Sequence, residues 1–83
     1  MDVFALFRLY SEYNKEEVKE EIVDIFFDKS QADDYCAKLN SAKEQFAADG
    51  DLPAAMTIIN KYDKGVAYLK GVAKWVVVYY SVI

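Results

Sequence analysis

Histidine is absent from the 83 residues, cysteine and proline occur once each, and glycine only three times. The missing histidine removes the commonest general base and the commonest metal ligand. A lone Cys36 permits no internal disulfide, which fits a reducing compartment. It falls on the apolar stripe of a predicted helix with no histidine to activate it, so it reads as a buried structural residue rather than a nucleophile. The glycines, at 50, 65 and 71, are scattered and build no phosphate-cradling loop. The longest apolar run, Trp75 to Tyr80, is too short to span a bilayer. Residues 1–13 carry Asp2 and Arg8 and no small-residue cleavage site, so no secretory leader is expected. These absences predict a non-enzymatic chain in the cytoplasm, of a bacterium or of an infected cell, with no membrane contact and no catalytic, cofactor or metal site.

Positive charge is also scarce. The net charge is −4, which argues against direct nucleic-acid binding by phosphate neutralisation. Its distribution is uneven: 13 of the 14 acids lie within residues 1–51, whereas residues 52–83 hold only Asp63 against Lys61, Lys64, Lys70 and Lys74. The densest acidic stretch runs from Glu12 through Glu16, Glu17, Glu20, Glu21 and Asp24 to Asp34. Nothing in its spacing resembles a calcium loop or a two-carboxylate site. The bland alternative is a solvated face that favours solubility; the functional one is a docking surface for a basic partner.

Apolar residues are abundant, at 54% of the chain, with 16% aromatic. Residues 3–13, VFALFRLYSEY, are rich in β-formers, and 18–28, VKEEIVDIFFD, read as a second strand. Asn14 and Lys15 between them suit the turn of a hairpin. Ser30 then offers an N-cap with Asp33 three residues on, and Ala32, Tyr35, Cys36, Leu39, Ala42 and Phe46 recur at helical spacing, predicting a helix over 31–48 that ends at Gly50. A shorter helix follows, capped by Asp51, with Pro53 in its first turn and Gly65 as its stop. Residues 66–73 are ambiguous, and a closing strand covers 74–83. The sum is an α+β single domain, ββα(α)β, with an antiparallel sheet in the order 2-1-3.

None of the three strands alternates cleanly between apolar and polar, as a sheet with one wet face would. A short hairpin loop groups Phe4, Leu6, Val23, Ile25 and Phe27 on one face, with Arg8 beyond. It groups Val3, Ala5, Phe7, Leu9, Ile22 and Phe26 on the other. Both faces need cover. The long helix can cover one, and the short helix is expected to cover part of the second. Any remainder, or the exposed edge, would meet another protein.

The stretches FALFRLYSEY, EEIVDIFFDKSQADDYCAKLN and WVVVYYSVI, in that order, resemble a loose class of small uncharacterised proteins of bacteriophages and mobile elements, built as a hairpin, a Ser-capped helix and a closing strand. FFDKSQADDYCAKLN carries most of the likeness. It encodes geometry and brings no catalytic residues with it, and the segment 49–73 departs from the shorter connection the class would have. In size and charge the chain is also similar to phage anti-CRISPR proteins, some of which present carboxylates where a phosphate backbone would lie.

The expectation is therefore a protein-binding module that inhibits a host defence or nucleic-acid-handling protein. Glu12, Glu16, Glu17, Glu20, Glu21 and Asp24 would face the partner's basic surface. Tyr10 and Tyr13 would add contact area, since tyrosine offers a large ring with a polar tip. The alternative is a structural homodimer, sheet against sheet, with an assembly or housekeeping role.

Overall fold

The computed structural model describes residues 1–11 and 18–82. Along them run β1 (Asp2–Ser11), β2 (Val18–Phe26), α1 (Lys29–Asp49), α2 (Leu52–Tyr62) and β3 (Val72–Ser81). The strands pair antiparallel in the order β2-β1-β3, the α+β arrangement expected from the sequence.

Helix α1 starts earlier than its serine suggests. Asp28, in extended conformation, is the N-cap; its carboxylate accepts from the Ser30 backbone N at 2.9 Å and from the Ser30 hydroxyl at 2.8 Å. An aspartate caps as well as a serine, and here it recruits the serine as a donor. Those bonds hold the Asp28 carboxyl below its ordinary pKa, the Ser30 side chain contributing most. Asp33 and Asp34 consequently fall beyond the first turn, and they pair instead with Lys29 and Lys38 one turn away. The helix stops where expected: Gly50 takes φ 71°, and its N–H donates to Phe46 O at 2.8 Å. Asp51 caps α2 by accepting from Ala54 N at 3.1 Å, ahead of Pro53.

Both helices lie on the same side of the sheet. Leu6, Phe26, Leu39, Ile59, Val66, Val72 and Trp75 form one buried core, and α2 packs on α1 rather than on a strand. Edge-to-face ring contacts run through the layers: Phe26 to Tyr35 at 5.0 Å, then Tyr35 to Tyr62 at 4.8 Å. The short helix therefore does not cover the second face of the sheet. Its C-cap, Asp63, is drawn to the α1 side by bonds to Arg8 and Trp75, and Ile59 is fully buried there.

The strand faces also differ from the simple hairpin parity. That parity holds from Val18 to Ile22, where Phe7 opposes Ile22 and Arg8 opposes Glu21. The register then shifts between Leu6 and Phe7, skipping Val23, so that Ala5 opposes Ile25 and Phe4 opposes Phe26. One extra residue in a strand reverses the facing of everything beyond it. Phe26 thus enters the core, beside Val23, while Ile25 joins Ile22 on the outer face. Arg8, expected at the margin, sits in the interior at 4% exposure.

Two expectations follow. Leu39 is fully buried between α1 and the sheet. Leu39→Ala should cost about 2–5 kcal/mol in denaturant unfolding; an unchanged midpoint would contradict this packing. The second concerns acid. Because the folded Asp28 pKa is lowered, its stabilising effect is present above the unfolded carboxylate pKa and is lost as pH falls through the lowered folded value. Asp28→Asn keeps a capping oxygen but cannot titrate, so it should reduce the loss of stability between about pH 5 and pH 2, measured by urea unfolding across that window.

Candidate protein-docking surface

The most concentrated chemistry in the molecule is a buried polar cluster where β1, β3 and the end of α2 meet. Arg8 and Asp63 are 4% and 2% exposed. The guanidinium grips the carboxylate with two bonds, Nε to Oδ2 and Nη2 to Oδ1, both 2.8 Å. Trp75 Nε1 donates to the same Oδ2 at 2.9 Å, and Gly65 N donates to Oδ1 at 3.1 Å. Asp63 therefore accepts four hydrogen bonds, all that a carboxylate can accommodate. On the other side of the guanidinium, Arg8 Nη1 donates to the Tyr10 hydroxyl at 2.9 Å and to Glu21 at 3.0 Å. Burial alone would lower the Arg8 pKa; the bonds and charge of Asp63 outweigh it and raise the value.

Every buried side-chain polar atom in this cluster has a partner, so it ties these elements together. Gly65, read from sequence as a helix stop, has a different role. A Cβ there would lie 2.6 Å from Arg8 Nη2, so only glycine lets the loop approach the guanidinium.

Cys36 and Asn40 act one turn apart on α1. Asn40 accepts from Trp75 N and donates to Trp75 O, each at 2.9 Å, and Cys36 Sγ donates to the same carbonyl at 3.2 Å. A side-chain amide thus completes the outward backbone bonds of edge strand β3 at this point. Burial first, then the charge of Asp33, pushes the Cys36 thiol pKa up, which disfavours the reactive thiolate.

The outer face of the sheet has no such cover. Residues opposite one another in the ladder share a face, so this face can be read from the register in rows across β2, β1 and β3. Val3 stands beside Tyr80; Ile25, Ala5 and Val78 form the next row; Ile22, Phe7 and Val76 the next; then Glu20, Leu9 and Lys74. Ile22 is 55% exposed and Ile25 51%, with Val78 and Tyr80 also exposed.

Strand β2 forms a free edge of the sheet, pairing only with β1. Of the acids expected to dock, Glu20, Glu21 and Asp24 are exposed along it. Glu20 belongs to the outer face. Glu21 is drawn toward Arg8 while its side chain stays 57% exposed. Asp24 accepts from Ile25 N at 2.8 Å, beside the bulge. Tyr10 is half-buried against the core with its hydroxyl engaged by Arg8, so much of its ring is committed within the fold. Glu12, Tyr13, Glu16 and Glu17 lie outside the described residues.

Two of the cavities lie near these features. One, of about 520 Å³, is apolar and lined by Phe46, Leu52, Met56, Tyr68 and Leu69, with Lys43 and Lys70 among its other residues. The other, of about 510 Å³, lies against the Arg8–Asp63 cluster, with Tyr35, Lys61 and Tyr62. Among the described residues no group of histidine, cysteine or carboxylate side chains could hold a metal ion, and no helix is long and apolar enough to cross a membrane. Compared with protein-family models, curated proteins and solved structures, the chain matches none.

Removing one member of the buried pair leaves an uncompensated charge. Asp63→Ala should cost about 3–5 kcal/mol. The double change Arg8→Met with Asp63→Leu should cost less than Asp63→Ala alone, as read by thermal or chemical unfolding. A double variant that loses the sum of the Arg8→Met and Asp63→Leu losses, each measured alone, would mean that the pair is not coupled. For Cys36, reaction with a thiolate-directed reagent at mildly alkaline pH should be much slower in the native protein than in denaturant.

Proposed function

We propose that this chain is a non-enzymatic protein-binding module. The observation that carries the reading is the setting of β2, an acid-rich strand at the free edge of a sheet whose outer face is apolar and uncovered. Exposed apolar area of this kind marks interaction sites, because a lone soluble domain rarely leaves it in water. The carboxylates alongside select a basic partner and accelerate encounter. Glu20, Glu21 and Asp24, with Glu12, Glu16 and Glu17 just before them in the sequence, supply that charge. Host proteins that handle nucleic acid carry basic grooves of the matching sign. A phage-encoded inhibitor of such a protein, anti-CRISPR-like in size and charge, is the form of this reading that the sequence resemblance supports. The uncovered face also favours a second reading, a structural homodimer.

The test compares capture of proteins from a nuclease-treated bacterial lysate by the wild-type chain, by Glu17→Lys with Asp24→Lys, and by Lys64→Glu. The double reversal removes two of these acids and should leave folding within about 1 kcal/mol. A specific basic partner should be retained by the wild type and by Lys64→Glu. Its affinity for the double reversal should fall by about tenfold or more at low salt, where charge is least screened. Equal retention by all three proteins would refute docking through the acidic edge.

A further inference from the structure

The rows of the outer face carry more information than their apolarity. Its only charges among the described residues are Glu20 on β2 and Lys74 on β3, and both stand opposite Leu9, one on each side of the central strand. The other row members are Val3, Ala5, Phe7, Ile22, Ile25, Val76, Val78 and Tyr80, all apolar or aromatic, with Val18 and the uncharged Ser11 beyond the charged row. The face is therefore apolar over most of its length, and next to its last pair, Ser11 and Val18, it carries a row that reads minus, apolar, plus.

We propose that a second copy of this chain occupies the outer face, related to the first by a two-fold axis running along β1. Such an axis, lying between two packed sheets, exchanges the edge strands while keeping each row at its own level. Glu20 of each copy then stands over Lys74 of the other, giving two ion pairs near one end of the interface. Leu9 and Phe7 meet their own counterparts along the axis, and the Ile22 and Ile25 side of one sheet meets the Val76 and Val78 side of the other. Glutamate and lysine are long enough to bridge sheets about 10 Å apart, and aligned packing tolerates the roughly 30° between twisted sheets. A two-fold axis across the strands would instead set Glu20 and Lys74 against the apolar far end, leaving both charges without partners.

The exposure agrees: Ile22, Ile25, Tyr80 and Val78 leave between a third and a little over half of their surface in water, apolar area that pairing would remove. A small chain that cannot bury all its apolar surface alone gains a second core layer in this way. The inference rests on the reading of the chain as a protein-binding module and fills its apolar face with a copy of itself, leaving the β2 edge and the hairpin to another partner.

Sedimentation of the purified full chain, from micromolar to hundreds of micromolar, tests it. The wild type should dimerise within that range. Glu20→Lys and Lys74→Glu should each weaken the dimer by about tenfold, because each converts two ion pairs into two like-charge contacts. The doubly swapped protein, Glu20→Lys with Lys74→Glu, should recover the dimer. An equimolar mixture of the two single variants should form a heterodimer, since every pair across it is again complementary. Ile25→Lys should give a monomer that still unfolds cooperatively. Should that variant misfold, the exposed charge swaps decide alone. A wild type that stays monomeric overturns the proposal, as does a dimer indifferent to the charge reversals or to the restoring swap. A monomer that still captures a basic partner overturns the self-pairing and leaves the wider reading standing; a dimer that captures nothing does the reverse.

Discussion

The buried grip of Arg8 on Asp63 is the constraint on which this small fold turns. A buried ion pair adds little net stability over an apolar pair of the same volume, because desolvation offsets most of the Coulomb gain. Its contribution here is geometric. The bidentate fork fixes the end of α2 against the central strand at two 2.8 Å bonds. Trp75 on β3 and Gly65 in the following loop attach to the same carboxylate. Glu21 on β2 reaches the other side of the guanidinium. All three strands, α2 and its following loop are thus referenced to one charged contact, and no buried side-chain polar atom among the described residues is left without a partner.

That contact also decides which face of the sheet is covered. With Asp63 held at Arg8, α2 lies beside α1 on one face, and neither helix is available to the other. The bulge at Val23 then adds Ile25 to the uncovered side and withdraws Phe26 to the core. The fold accordingly separates its tasks. One face holds the core, and the other holds apolar surface that can be buried only by association.

The two sheet edges are treated differently as well. At Trp75, β3 is closed by Asn40, which supplies both missing backbone partners from α1. Strand β2 is protected from indiscriminate pairing by charge rather than by cover, with Lys19, Glu20, Glu21 and Asp24 exposed along it. The same carboxylates that discourage edge-to-edge aggregation give the surface its sign. Solubility and recognition therefore place the same demand on this strand, so its composition alone does not distinguish them.

The local signals were legible in the sequence because each acts over a few residues. Gly50 and Asp51 end and begin helices through bonds to their near neighbours, and the apolar spacing of α1 shows its buried side directly. Strand count and sheet order follow from the same kind of pattern. Asp28 rather than Ser30 as the cap was a narrow choice between two good acceptors adjacent in the chain. What the sequence did not carry is long-range. Nothing near Arg8 indicates that it will be interior, because its partner lies 55 residues away. Gly65 looks like an ordinary stop until a guanidinium is placed against it. The facing of Ile25 depends on a single skipped residue in the register, which hydrophobicity cannot reveal in a strand that is apolar on both sides. The sequence by itself determined the elements and the presence of more apolar surface than one small core needs. Only the tertiary structure decided which residues are left exposed, because that depends on where a buried charge finds its counter-charge.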